Sequence, residues 1–242
     1  MKTIMPKIGL FASAVLAMLM ASCGDGAVSC GSYDATTHFC DTRDGKLYKY
    51  VLIGSQTWMA ENLNYDYKVN GSTYGNWCYN DSAKNCAKYG RFYSWAAAMD
   101  SAATSCGYGT TCAASSEKVR GVCPTGWHLP SHAEWSTLFA AVGGADGAGT
   151  MLKSTSGWYS NGNGTDAYGF SALPAGGRNY YDGRFDNDGY FDNDGYFHAT
   201  FWSSSGPTQY DAYSINLSYL GANVRWYVFD KGYGFTVRCL RD

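Results

Sequence analysis

A chain of 242 residues with a formal net charge of −2 and only 16% charged residues gives no electrostatic argument for nucleic acid or an anionic surface as partner. Its 17% aromatic content, 30 glycines and nine cysteines do not describe a helical, reduced cytosolic enzyme either. They describe a loop-rich exported protein with one generous domain.

The chain opens with Lys2 and Lys7 ahead of an apolar run from Ile8 to Ala21. That run is too short for a comfortable membrane span, so residues 1–22 read as a targeting segment. It closes on Leu19-Met20-Ala21-Ser22-Cys23, which resembles a bacterial lipobox with Met20 in the slot usually held by leucine. The resemblance implies that Cys23 carries the lipid and anchors the mature chain to the outer membrane, exposed at the cell surface. Residues 23–43 then read as a small, polar tether, and residues 44–242 as one domain without a break in composition.

Apart from Cys23, eight cysteines remain, an even number that in an exported chain argues for disulfides. Proximity along the chain pairs Cys30 with Cys40, Cys78 with Cys86 and Cys106 with Cys112. Elimination then joins Cys123 to Cys239. Zinc is the weaker reading, because no pair has CxxC spacing and histidine is sparse.

Asp44-Gly45 is a turn signal, and a strand over 46–53 turns through Gly54-Ser55 into Gln56–Met59. Residues 60–63 read as a strand end or a single helical turn, and 65–89 as a polar excursion closed by Cys78 and Cys86. The spacing of Phe92, Trp95 and Met99, with the intervening alanines, predicts a helix over 92–99. After a loop over 100–117 comes Val122-Cys123-Pro124-Thr125-Gly126-Trp127-His128-Leu129-Pro130, and then Ser131 and Glu134 in capping-box spacing. Trp135, Leu138, Phe139 and Val142 follow at i, i+3, i+4 and i+7, one face of a helix that Gly143-Gly144 ends. A second short helix is expected over 147–153, a loop over 154–167 and a broken strand over 169–178.

Phe185-Asp186-Asn187-Asp188-Gly189-Tyr190 repeats identically as residues 191–196. Two copies are too few for a solenoid and read as a loop lengthened by duplication. The sharper alternative is calcium held by Asp186, Asp188, Asp192 and Asp194, although no EF-hand spacing is present. No other cofactor is expected. Strands over 199–204, 213–219, 224–229 and 234–240 finish the chain, the second alternating strictly between apolar and polar.

Six segments occur together in a familiar order. They are Gln56–Leu63, Tyr89–Met99, Val122–Pro130, Gly169–Pro174, Phe201-Trp202-Ser203-Ser204 and Gly234-Phe235-Thr236-Val237-Arg238-Cys239. The ordered set resembles the Fibrobacter succinogenes major paralogous domain family, exported bacterial domains that are often lipoproteins and have no established activity. The resemblance implies an α+β, C-type-lectin-like or formylglycine-generating-enzyme-like fold. Short helices would pack on small antiparallel sheets, loop-rich and stapled by disulfides. The tandem repeat is a departure that alters loop length.

No nucleophile–base arrangement stands out. His128 is expected to serve as a hydrogen-bonded structural residue, and Glu134 is accounted for by its capping box, which weakens any pairing with Glu61 for glycoside hydrolysis. Tyr180, Tyr181, Tyr190, Tyr196 and Trp158 are the candidate ligand-contacting rings, since flat apolar faces with polar edges suit sugars or protein partners; the equal alternative is that these rings pack the loops onto the core. The expected role is non-catalytic recognition of a glycan or surface partner. The alternatives are an adhesive or structural surface protein without a small ligand, and a degenerate formylglycine-generating-type enzyme.

Overall fold

The computed structural model describes residues 28–112, 118–186 and 198–242. The targeting segment, Cys23 and most of the duplicated loop, with Asp188, Tyr190, Asp192, Asp194 and Tyr196, lie outside the described residues. Strands β1 (His38–Asp41), β2 (Lys46–Ile53) and β3 (Gln56–Met59) form consecutive antiparallel hairpins. Gly54 turns the second hairpin at φ +60, a left-handed value that costs glycine nothing. A small ribbon of β4 (Lys68–Val69) and β5 (Ser72–Thr73) precedes β6 (Asn76–Trp77), α1 (Ala83–Tyr89) and β7 (Phe92–Tyr93). Two single-turn helices follow, α2 (Trp95–Ala98) and α3 (Ser101–Thr104).

The second half begins with β8 (Trp127–His128), α4 (His132–Ala141) and α5 (Ala145–Leu152). A ribbon of β9 (Gly177–Arg178) and β10 (Phe185–Asp186) leads to β11 (Ala199–Trp202), β12 (Asp211–Leu217) and β13 (Val224–Asp230). The chain finishes with β14 (Phe235–Thr236) and β15 (Leu240–Arg241).

Two sheets carry the architecture, in the orders β1-β2-β3-β15-β8 and β13-β12-β11-β14-β7-β6. The closing segment is interior to both. β14 lies between β11 and β7, and β15 between β3 and β8, where Leu240 pairs with Trp58 and His128. The fold is thus α+β and loop-rich, and all its strand pairs are antiparallel except β11 with β14. Cys30–Cys40, Cys78–Cys86, Cys106–Cys112 and Cys123–Cys239 are all bridged, as chain proximity and elimination predict.

Two aromatic clusters fill the interior. One joins Tyr93, Trp95, Trp127, Trp202 and Phe235 around the buried Cys123–Cys239 bridge. In the other, Trp135 on α4 stands 4.6 Å from Trp58 and 5.5 Å from Phe201, ring centre to ring centre. Edge and tilted packing of such rings adds about 0.5–1.5 kcal/mol per pair beyond burial. Gly121 lets the chain pass over α2. It adopts φ +55, and a Cβ there would sit 2.2 Å from the Ala98 carbonyl oxygen, to which Val122 N–H donates at 2.9 Å.

Three expectations are corrected. The tether does not extend to residue 43: Cys30 is bridged to Cys40, Val28 N–H donates to Thr42, and β1 pairs with β2 along its length. The segment 92–99 is not one helix. Phe92 and Tyr93 form β7 between β14 and β6, and Ser94 caps a helix that begins only at Trp95. Two open strand edges on either side outweigh the helical spacing of Phe92, Trp95 and Met99. Residues 60–63 take neither helix nor strand. Ala60 and Leu63 instead donate to the carbonyls of Lys49 and Val237.

Candidate functional site

The segment Val122–Pro130 carries a locked histidine. β8 delivers His128 to the start of α4, where Nε2 lies 2.9 Å from Glu134 Oε1 and Nδ1 lies 2.7 Å from Asp242 Oδ1. The second oxygen of Glu134 accepts from the Ser131 N–H and hydroxyl, and the Ser131 hydroxyl accepts from the Glu134 N–H, completing the capping box. One carboxylate therefore caps the helix and holds the imidazole. These groups border a polar cavity of about 270 Å³ with Lys118 and Arg241. A general base must present a free nitrogen to its substrate, and both nitrogens of His128 are already engaged. The cluster joins α4 to the end of β15.

Burial pushes the Glu134 carboxyl up, but the hydrogen bond from His128 and those from Ser131 outweigh it and hold the group at about 2, below its ordinary 4.5. A carboxyl with a depressed native pKa contributes stability that is complete above the ordinary value and is lost as pH falls through the native one. The unfolding midpoint should therefore drop between pH 4.5 and about 2. Glu134→Gln should lower stability at neutral pH and flatten that part of the profile. Thermal melts of both proteins across this range check it, and parallel profiles would refute the assignment.

A second assembly lies at the surface. The loop closed by Cys106–Cys112 carries Tyr108, the turn after β9 carries Tyr180 and Tyr181, and the loop before β12 carries Tyr210. Tyr108 and Tyr210 have ring centres 5.2 Å apart, and Tyr180 and Tyr181 3.8 Å apart. Asp230, at the end of β13, holds the Tyr108 phenol above its ordinary pKa, helped by burial and then by Tyr210 and Tyr181. Tyr181 is 73% exposed and Tyr108 58%, whereas Tyr180 packs inward on Tyr233 at 5.1 Å.

The loops that carry Tyr108 and Tyr210 are held by a buried cation. Lys231 Nζ donates to the carbonyls of Thr110 and Gln209 at 3.0 Å each and of Gly107 at 3.4 Å, and lies 4.3 Å from the centre of the Trp95 ring. An ammonium with three donors satisfied by carbonyls, over an aromatic face, orders a loop much as a bound cation would. Tyr108 and Tyr210 are accordingly pre-positioned before any ligand arrives.

The candidate residues separate on this surface. Tyr180 and Tyr181 belong to the patch. Trp158 does not: it is buried in the second aromatic cluster, and its ring N–H donates to Ser154 Oγ and the Ala172 carbonyl. Its indole takes the alternative of packing the loop onto the core, which it enters between α5 and Ala172. Tyr108 and Tyr210 were not singled out, because the sequence holds 21 tyrosines and only folding brings these two loops together. The backbone of Asp186 ends β10, and its side chain lies outside the described residues with the other three aspartates of the calcium reading. Among the described residues, no group of three His, Cys, Asp or Glu side chains is placed to hold a metal. Glu61 and Glu134 border different cavities.

The class is thus a disulfide-stapled, loop-rich α+β domain with exposed tyrosines and a locked histidine. Residues 51–241 match the model of the Fibrobacter succinogenes major domain, and the chain belongs to that family. No curated protein and no solved structure matches the chain.

Proposed function

We propose that this protein is a non-catalytic recognition module that binds a glycan on the patch formed by Tyr108, Tyr180, Tyr181 and Tyr210. The reading includes an anchor on the outer membrane through lipid at Cys23, supported by the lipobox-like Leu19–Cys23 sequence. The carrying observation is that four tyrosines from three separate loops converge with Asp230, two of them more than half exposed, with a buried ammonium fixing the loops of Tyr108 and Tyr210. Phenol rings offer a flat apolar face to the C–H side of a sugar and a hydroxyl at the edge. Asp230 adds an acceptor. The formylglycine-generating alternative needs a thiol pair, and the eight cysteines beyond Cys23 are all in disulfides.

A glycan array probed with the full-length protein in detergent tests the reading, and intact mass of the membrane-extracted protein tests the anchor. Tyr108→Ala with Tyr181→Ala should weaken the best glycan about tenfold or more, at roughly 0.5–1.5 kcal/mol per ring. The melting temperature should hardly move, because both rings are exposed. An array without hits, or binding indifferent to both substitutions, would overturn it.

A further inference from the structure

A groove of about 870 Å³ runs along the outer face of β2, walled by residues 60–64, the end of α1 and the loop 169–173. Four of its lining side chains are formal cations, Lys46, Lys49, Lys88 and Arg238, against one carboxylate, Glu61. In a chain of net charge −2 that is a local concentration of positive charge. Lys46 is answered by Asp44 at 3.0 Å. Among the described residues, no carboxylate lies within ion-pair distance of Lys49, Lys88 or Arg238.

Arg238 is fully buried in the groove floor. Its Nε donates to Asn62 Oδ1, Nη1 to the Met59 and Phe170 carbonyls, and Nη2 to the Ser171 carbonyl at 3.1 Å. All four acceptors are neutral. Burial pushes the guanidinium down to about 9, opposed by Glu61 and then Asp166, so it stays charged at neutral pH. A charge buried beside a cleft and hydrogen-bonded only to neutral groups projects its field into the cleft, where low-dielectric walls focus it. Lys49 and Lys88 stand exposed at the rim.

We propose that this groove is an anion-selective ligand site, distinct from the tyrosine patch, whose ligand is an acidic oligosaccharide bearing carboxylate or sulfate groups. The volume falls within the range of small-ligand sites, roughly 300–1,000 Å³, and is too large for a lone inorganic anion. Asn62, Asn64, Thr37 and Ser171 set neutral polar groups among the cations, and Tyr50, Val51 and Leu173 set apolar surface. That mixture suits a chain of hydroxyl-bearing rings with intermittent charge. An acidic peptide fits less well. Peptides commonly bind by adding a strand, and both edges of β2 are already occupied, by β1 and β3.

The test is titration calorimetry of the full-length protein in detergent with short oligogalacturonate, its methyl ester, a sulfated oligosaccharide and a glutamate-rich peptide. Oligogalacturonate or the sulfated chain should bind, and which binds more tightly identifies the anionic group. The uncharged ester should bind at least about tenfold more weakly, and added salt should weaken the charged ligands. Lys49→Glu with Lys88→Glu should reduce acidic-glycan binding by a similar factor without changing the melting temperature, since both side chains are exposed. Tyr108→Ala with Tyr181→Ala should leave that binding intact, which separates this site from the patch. Equal affinity for the ester, tighter binding of the peptide, no binding of either acidic sugar, or indifference to the charge reversal would each overturn the proposal.

Discussion

Replacing Cys123 and Cys239 together with alanine is expected to lower the free energy of unfolding by about 4–5 kcal/mol, the largest single effect available in this chain. The bridge joins residues 116 apart in sequence, against 10, 8 and 6 for the other three. On the chain-entropy account, a cross-link restricts the unfolded ensemble in proportion to the logarithm of the loop it closes. Both sulfurs are buried, and the bond ties the segment before β8 to the residue before β15, which is interior to its sheet. Chemical denaturation of the double variant measures the loss. Cys30→Ala with Cys40→Ala supplies the comparison and should cost less, because its loop is short and near the edge of the sheet. Equal losses for the two pairs would show that loop length does not govern the contribution.

The second large effect is expected at Arg238. Arg238→Met keeps the length and much of the volume but removes donors from Asn62 Oδ1 and from the carbonyls of Met59, Phe170 and Ser171. A buried acceptor left without a partner costs about 1–3 kcal/mol. Relief from burying a charge offsets part of that sum, leaving a net loss on the order of 3 kcal/mol. The guanidinium also lies over the rings of Phe170 and Phe201, at 4.5 and 5.5 Å. It braces Ser171 as well, whose backbone at φ +52 is held from its other side by Asp166 accepting from its N–H and hydroxyl. Such a conformation persists only when its surroundings over-determine it. Arg238→Lys should recover only part of the loss, because an ammonium lacks the planar fork that reaches three carbonyls and an amide at once. A Met variant within about 1 kcal/mol of the wild type would mean that burying the charge costs as much as its hydrogen bonds return.

Much of the scaffold is legible in the sequence by itself, because it is set by chemistry between near neighbours. Ser131 and Glu134 stand three apart and form their reciprocal cap, and the helix presents Trp135, Leu138 and Phe139 to the core as their spacing requires. Gly54-Ser55 closes the second hairpin, and the alternating run 213–219 supplies most of strand β12, although Ser214 and Asn216 are buried along with Ile215 and Leu217 instead of facing solvent. The cysteines pair as proximity and elimination require.

What the sequence could not determine depends on what meets across the fold. Phe92 and Tyr93 carry helical spacing, yet become a strand because β6, shortly before them in sequence, and β14, near the C-terminus, leave a place between them. Trp158 reads equally as a ligand-contacting or a core-packing ring and takes the core, since burying an indole outweighs the polarity of its neighbours in sequence once its N–H finds Ser154 and Ala172. His128 gains its two carboxylates from positions 6 and 114 residues away, and Lys231 its carbonyls from loops as far as 124 residues distant. The tyrosine patch and the cationic groove arise in the same way. Composition establishes that the chain has many aromatic rings and few charges; only the tertiary structure decides which rings reach solvent and which cations are left without a counter-charge.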